Sequence, residues 1–83
     1  AERDEEERGW REAVYAVALR LYLADETVQE RTKEVFRRVA LEGEPPESVA
    51  SAFGIARNAV DQIKNRAVRR LRELVEALRK AGE

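Results

Sequence analysis

The chain has 83 residues, 40% of them charged and 43% apolar, with a formal net charge of −1. It is long enough for one small domain, and without Cys or His it offers no disulfide, no thiolate zinc ligand and no imidazole base. We therefore expect neither enzyme activity nor a metal or cofactor. No apolar run approaches the roughly 20 residues that span a bilayer. Because the sequence contains no Met, we expect a processed chain or a part of a longer protein.

The first predicted helix covers about residues 5–24. Its apolar side chains recur at spacings of four and three residues, which places on one face Trp10, Val14, Val17 and Leu21. We expect the three aromatic residues of this segment, Trp10, Tyr15 and Tyr22, to be core or interface anchors. The acidic residues in its first turn suit the positive end of the helix dipole.

A second helix is predicted over about residues 28–41. Before it, Thr27 and Glu30 form a capping-box pattern. The Gly-Glu-Pro-Pro run at residues 43–46 ends the helix, because glycine readily takes the left-handed cap conformation and proline cannot continue a helix interior.

Two further helices, at about residues 46–53 and 57–80, are separated by the tight turn Gly54-Ile55-Ala56. A continuous apolar seam follows the last helix at spacings of three and four residues: Val60, Ile63, Ala67, Leu71, Leu74 and Leu78. No strand-like alternation or internal repeat is present. The sequence therefore predicts one all-α domain of four helices.

The C-terminal part of this seam has two interpretations. Leu71, Leu74 and Leu78 can pack on the apolar face of the first helix and close a compact domain. The same spacing occurs in homodimeric coiled coils, but fewer than four heptads are present. We favour intramolecular packing and a monomer.

Charge is distributed unevenly along the chain. Residues 1–8 carry a net charge of −3 and residues 9–56 a net charge of −2, whereas residues 57–80 carry +5. Local fields rather than the whole-chain sum steer a polyanion, so the basic segment favours a nucleic-acid partner. The alternative is a basic helix face that is only solvated.

The third and fourth helices have the pattern of a helix-turn-helix with a long second, recognition helix, whose first turns enter the DNA major groove. With Val60 facing the core, four polar side chains lie outside: Arg57, Asn58, Asp61 and Gln62. Arg can pair with guanine, and Asn and Gln can pair with adenine. Asp61 can accept from cytosine or pair with Arg57 one turn earlier.

The following turns carry side chains that suit phosphate groups: Lys64, Asn65, Arg66, Arg69 and Arg70. Neutralising phosphates releases counterions and supplies most of the non-specific affinity for DNA. Helix-turn-helix spacing also occurs in protein-binding domains, so this pattern alone leaves both functions open.

The run SVASAFGIARNAVDQIKNRAVRRLREL resembles region four, the C-terminal DNA-binding region, of bacterial sigma factors. The matching positions are Val49, Phe53, Gly54, Ile55, Arg57, Val60, Gln62, Ile63, Arg66, Ala67, Val68, Arg70, Leu71 and Arg72. The preceding KEVFRRVALEG is similar to the family's first region-four helix. Residues 1–26 resemble the helix that joins the central and C-terminal regions in extracytoplasmic-function (ECF) sigma factors.

The resemblance implies sequence-specific binding of duplex promoter DNA at the upstream, −35-type element during transcription initiation. Carried over by position, Arg57, Asn58 and Gln62 read base edges and Arg66 contacts the DNA backbone. It further implies a bacterial, cytoplasmic, nucleoid-associated protein in which residues 1–26 pack on a region-four-like domain.

Protein partners follow from the same resemblance. The domain, residues 27–83, would dock on the flap of the RNA polymerase β subunit, and an anti-sigma factor is a further possible partner. The second helix would supply an apolar surface, part core and part polymerase or anti-sigma contact, through Val35, Phe36 and Val39.

Two positions depart from the family pattern. Ala56 replaces the Ser or Thr that usually caps the recognition helix, and such a cap contributes about 1 kcal/mol. Asp61 stands where a basic residue is common, and it would repel a phosphate unless it pairs with Arg57 or a base amine.

Two other functions remain open. The chain can be a protein-interaction domain with little DNA binding, using acidic residues 1–8 and exposed aromatic side chains as its surface. It can also be a dimeric effector domain of the two-component type, which shares the helix-turn-helix.

Overall fold

The computed structural model describes residues 2–81, and it describes side chains from residue 9 onward. In that range the chain forms α1 (Glu2–Ala24), α2 (Glu30–Phe36), α3 (Pro46–Phe53) and α4 (Arg57–Ala81), and a π-helical turn, Arg37–Leu41, extends α2. The predicted all-α domain of four helices is confirmed. The predictions made for the acidic side chains of residues 1–8 lie outside the described part.

The first of two core clusters joins α1, α2 and α4. Its buried members are Ala18, Tyr22, Phe36, Ala67 and Leu71. Leu74 and Leu78 pack against them, so the apolar seam of α4 faces α1 within one chain, as the intramolecular interpretation expects.

The face of α1 that meets α4 is rotated from the predicted one. Ala18 and Tyr22 are buried, whereas Trp10 and Leu21 are 49% and 46% exposed. The expectation that Trp10 and Leu21 pack under the leucines of α4 is therefore wrong. Apolar residues cover more than one face of α1, and the small Ala18 side chain lets α4 approach closely, so packing selected the face that includes it.

The second core cluster fixes α3 against the start of α4. Its buried members are Val35, Val39, Val49, Ala50 and Val60, and Phe53, Ile55 and Ile63 pack around them. Ile63 contacts both clusters, which makes the core continuous along α4.

α2 begins later than predicted, because Thr27 does not cap it. The backbone N–H and the hydroxyl of Thr27 donate to Asp25 Oδ1 at 2.9 and 2.6 Å. The helix starts at Glu30 after Gln29, which makes no side-chain cap bond, so the capping-box prediction is wrong. The hydrogen bonds from Thr27 instead hold the pKa of the Asp25 carboxyl below its ordinary value.

The far end of α2 widens into a π-helical turn. The N–H of Glu42 donates to the carbonyl oxygen of Arg37 at 3.0 Å, the five-residue spacing of π geometry. Beside it, the Arg38 guanidinium donates to both carboxylate oxygens of Glu44, at 2.6 and 3.1 Å, and lies 5.4 Å from the centre of the Phe53 ring. Arg38 thus ties the end of α2 to the end of α3.

Candidate nucleic-acid interface

A short turn sets the geometry between α3 and α4. Gly54 has a φ of +64°, in the left-handed region that favours glycine, and the N–H of Ile55 donates to the carbonyl of Ala50 at 3.0 Å. Arg31 of α2 donates from Nη2 to the carbonyl of Phe53 at 2.7 Å. The carbonyls of Ala50 and Phe53 at the end of α3 therefore have hydrogen-bond partners, and Arg31 connects α2 to the turn.

Ala56 occupies the N-cap position of α4. Its carbonyl accepts from the N–H groups of Ala59 and Val60, at 3.0 and 3.3 Å, which begins the hydrogen-bond ladder of the helix. An alanine side chain has no oxygen to accept from the first free N–H groups. At Ala56 the chain departs from the sigma-factor pattern, and this departure removes the side-chain hydrogen bond that would cap the start of α4.

The four side chains predicted to read bases lie on the side of α4 away from the core. Val60 is fully buried beneath them. Arg57, Asn58 and Gln62 are exposed, and Asp61 is half-buried. The structure therefore brings the four together on one accessible surface, while their contact with bases stays a prediction.

Arg57 has a partner that the sequence did not indicate. Its Nη1 lies 2.7 Å from Oε1 of Glu47, in the first turn of α3, and both side chains are 61% exposed. Asp61, the partner expected one turn along α4, forms no ion pair among the described side chains. Glu47 precedes Arg57 by ten residues across a turn, so helical spacing gives no signal for this pair.

The predicted phosphate-binding side chains are all exposed, but they do not share one face: Lys64, Asn65, Arg66, Arg69 and Arg70. By helix geometry Asn65 and Arg69 continue the outer stripe that begins at Asn58. Lys64 lies on one flank of that stripe. Arg66 and Arg70 lie together on the other flank. The cations therefore border the base-reading surface on two sides.

A groove of about 400 Å³ opens beside Arg66 and Arg70. It lies between α4 and the segment that joins α1 to α2, with Asp25 and Thr27 on its far side. Arg70 Nη1 pairs with Glu73 at 3.2 Å, whereas Arg66 forms no ion pair among the described side chains. Arg66 is thus the less neutralised of the two arginines.

The apolar residues predicted to contact polymerase or an anti-sigma factor lie in the core. Val35, Phe36 and Val39 are 1%, 2% and 8% exposed. This corrects the expected contact surface, because both core clusters need these side chains and leave almost nothing of them for a partner. The large apolar side chains that are exposed are instead Trp10, Tyr15, Leu21 and Leu41.

Among the side chains that the structure describes, those of residues 9–81, no group of acidic residues is arranged to hold a metal ion. In the described part of the chain, no helix combines the length and the apolar character needed to cross a membrane.

Comparison with known protein families identifies this helix-turn-helix. The family model for Sigma-70, region 4, matches residues 26–73, a stretch that includes α2, α3, the turn and all nine side chains predicted to contact DNA. No curated protein and no solved structure gives a significant match. Region 4 is a DNA-binding family rather than an enzyme family, and in sigma factors it binds the −35 promoter element during transcription initiation. With more than half of its length matched, the chain belongs to the sigma-70 region 4 family.

Proposed function

We propose that the chain recognises the upstream, −35-type promoter element as the C-terminal domain of an ECF-type sigma factor. The observation that carries the proposal is the first two turns of α4. There Arg57, Asn58 and Gln62 form an accessible polar surface at the start of a recognition helix, backed by the buried Val60. Side chains of these types can discriminate base pairs in the major groove.

The placement of the cations supports insertion of α4 into a groove. A major groove about 12 Å wide accommodates one α-helix, whose flanks then face the phosphates of the two strands. Lys64 on one flank and Arg66 and Arg70 on the other are arranged for such contacts. A basic face that served only for solubility would not need cations on both sides of a polar stripe.

The ECF assignment is supported by α1. Residues 1–26 resemble the helix that precedes region four in ECF sigma factors, and α1 packs directly on α4 through Ala18 and Tyr22. We propose RNA polymerase, through its β flap, and an anti-sigma factor as protein partners. The exposed large apolar side chains available to them are Trp10, Tyr15, Leu21 and Leu41.

Those exposed side chains also favour a second candidate function. Four large apolar residues at least 46% exposed on an 83-residue chain suit a protein-interaction module that binds DNA weakly or not at all. The two functions differ in their dependence on salt.

Titration of duplex DNA with the chain at increasing salt separates the two functions. If α4 neutralises about four phosphates, the plot of log K against log salt should be linear with a slope of about −3 to −4. Absence of binding even at about 50 mM salt would favour the protein-interaction module.

A further inference from the structure

One ion pair connects the two helices of the helix-turn-helix. Arg57, the first residue of α4, places Nη1 2.7 Å from Oε1 of Glu47 in α3, and no other ion pair among the described side chains joins α3 to α4. Glu47 lies in the first turn of α3, where the helix dipole stabilises a carboxylate. The Glu47 carboxylate therefore lies beside Arg57, the predicted base-reading side chain that can pair with guanine.

This geometry leaves Arg57 able to bind a base while it remains paired. A guanidinium has five N–H donors on three nitrogens, and the Glu47 carboxylate lies against only one of these nitrogens, Nη1, so donors on the others can reach guanine O6 and N7. Both side chains are 61% exposed, and an exposed pair of this kind contributes little to folding. The pair restricts where the guanidinium points rather than holding the domain together.

We propose that Glu47 is a specificity-determining positioning residue for promoter recognition. It holds Arg57 toward a base edge and away from the phosphates. Its negative charge also disfavours complexes in which the N-terminus of α4 rests on the DNA backbone. Since Asp61 forms no ion pair among the described side chains, its carboxylate stays available to accept from a base amine. This inference rests on the proposed function.

The test compares the unmodified 83-residue chain with Glu47→Gln and Glu47→Ala. Three duplexes are used: one selected from a random pool by the unmodified chain, the same duplex changed at the base pair whose preference is lost in Arg57→Ala, and a scrambled duplex. Removing one negative charge should raise the affinity of both Glu47 variants for the scrambled duplex about two- to threefold.

Discrimination at the Arg57 base pair is the ratio of the affinities for the selected duplex and for the duplex changed at that base pair. It should respond differently in the two variants. Glu47→Ala should lower it about two- to fivefold, the range that an exposed ion pair can supply. Glu47→Gln should lower it less, because the amide oxygen can still accept from Arg57. In an Arg57→Ala background, Glu47→Ala should leave discrimination unchanged.

A matched control separates positioning from charge. Glu76 pairs with Arg79 at 3.7 Å with nearly the same exposure, on α4 about five turns beyond Arg57. Glu76→Gln removes the same charge and should leave discrimination unchanged. The inference is overturned if Glu47→Ala discriminates as the unmodified chain does, or if Glu76→Gln lowers discrimination equally. An unmodified chain that binds no duplex, or all duplexes alike, overturns the proposed function, and the inference with it.

Discussion

The ring of Tyr22 meets the ring of Phe36 edge to face, with 5.4 Å between their centroids and an interplanar angle of 71°. Tyr22 is on α1 and Phe36 ends α2, and both are buried in the cluster that includes Ala67 of α4. Such a pair contributes about 0.5–1.5 kcal/mol beyond the burial of its surface. The contact makes α1 a part of the core that supports the recognition helix.

Phe36→Ala should reduce the free energy of unfolding by about 3–5 kcal/mol, because it removes a buried aromatic ring and leaves a cavity. Trp10→Ala should cost about 1 kcal/mol or less, since about half of the Trp10 side chain is exposed. Urea unfolding of the two variants measures both values. Equal losses would contradict the packing of α1 described above.

The exposure of Trp10 shows that the sequence pattern predicted some features of the fold but not others. Pro46 begins α3 because its fixed φ suits the first helical turn, and Gly54 ends it because glycine readily takes the left-handed conformation. Both ends of that helix were therefore predictable from the sequence. The apolar seam of α4 likewise predicted its length and its inward face. The inward face of α1 was not predictable, because two of its faces carry apolar side chains and only packing against α4 selects between them.

The candidate site likewise has features that the sequence predicted and features that it did not. Periodicity placed Arg57 and Gln62 outside because Val60 had to be inside, and the structure agrees. It gave no indication of the pairing between Arg57 and Glu47, which depends on how α3 crosses α4. The family resemblance placed a partner surface at Phe36, but that side chain is almost fully buried, because a match by position does not show which apolar residues of a helix the core takes.

Ala56→Ser should stabilise the domain by about 1 kcal/mol, because the hydroxyl oxygen can accept from a free N–H group in the first turn of α4. Ala56→Val, which adds bulk without an oxygen, serves as the control and should give no such gain. Thermal and urea unfolding measure the difference. A serine variant no more stable than the valine variant would show that Ala56 is not the cap.

Stability should fall in acid through Glu44. Hydrogen bonds from Arg38 hold the pKa of the Glu44 carboxyl below its ordinary value of about 4.5 in the folded state. The unfolded chain therefore takes up this proton first, so the contribution of Glu44 is complete above about pH 4.5 and is lost as the pH falls through the lower folded pKa.

Glu44→Gln tests that linkage. The variant should be less stable than the unmodified chain at pH 7, and its stability should decline less steeply as the pH falls below about 4.5. Urea midpoints measured across this range give both slopes. Parallel slopes for the two chains would contradict the role of the Arg38–Glu44 pair.

Arg66→Ala should weaken binding to all duplexes alike and reduce the steepness of the salt dependence by about 0.9, the value for one lost phosphate contact. Arg70→Ala should have a smaller effect, because Glu73 already partly neutralises Arg70. Fluorescence anisotropy with labelled duplexes at several salt concentrations gives both slopes. A change in base preference for Arg66→Ala would contradict its assignment to the backbone.

The most direct test of the central claim, that the start of α4 reads a promoter sequence, is selection of bound duplexes from a random pool by the unmodified chain and by Arg57→Ala. The unmodified chain should enrich one short motif. The variant should lose preference at one position of it, at a cost of about 1–3 kcal/mol for the selected duplex. An unchanged motif with Arg57→Ala, or no enrichment by the unmodified chain, would contradict the claim.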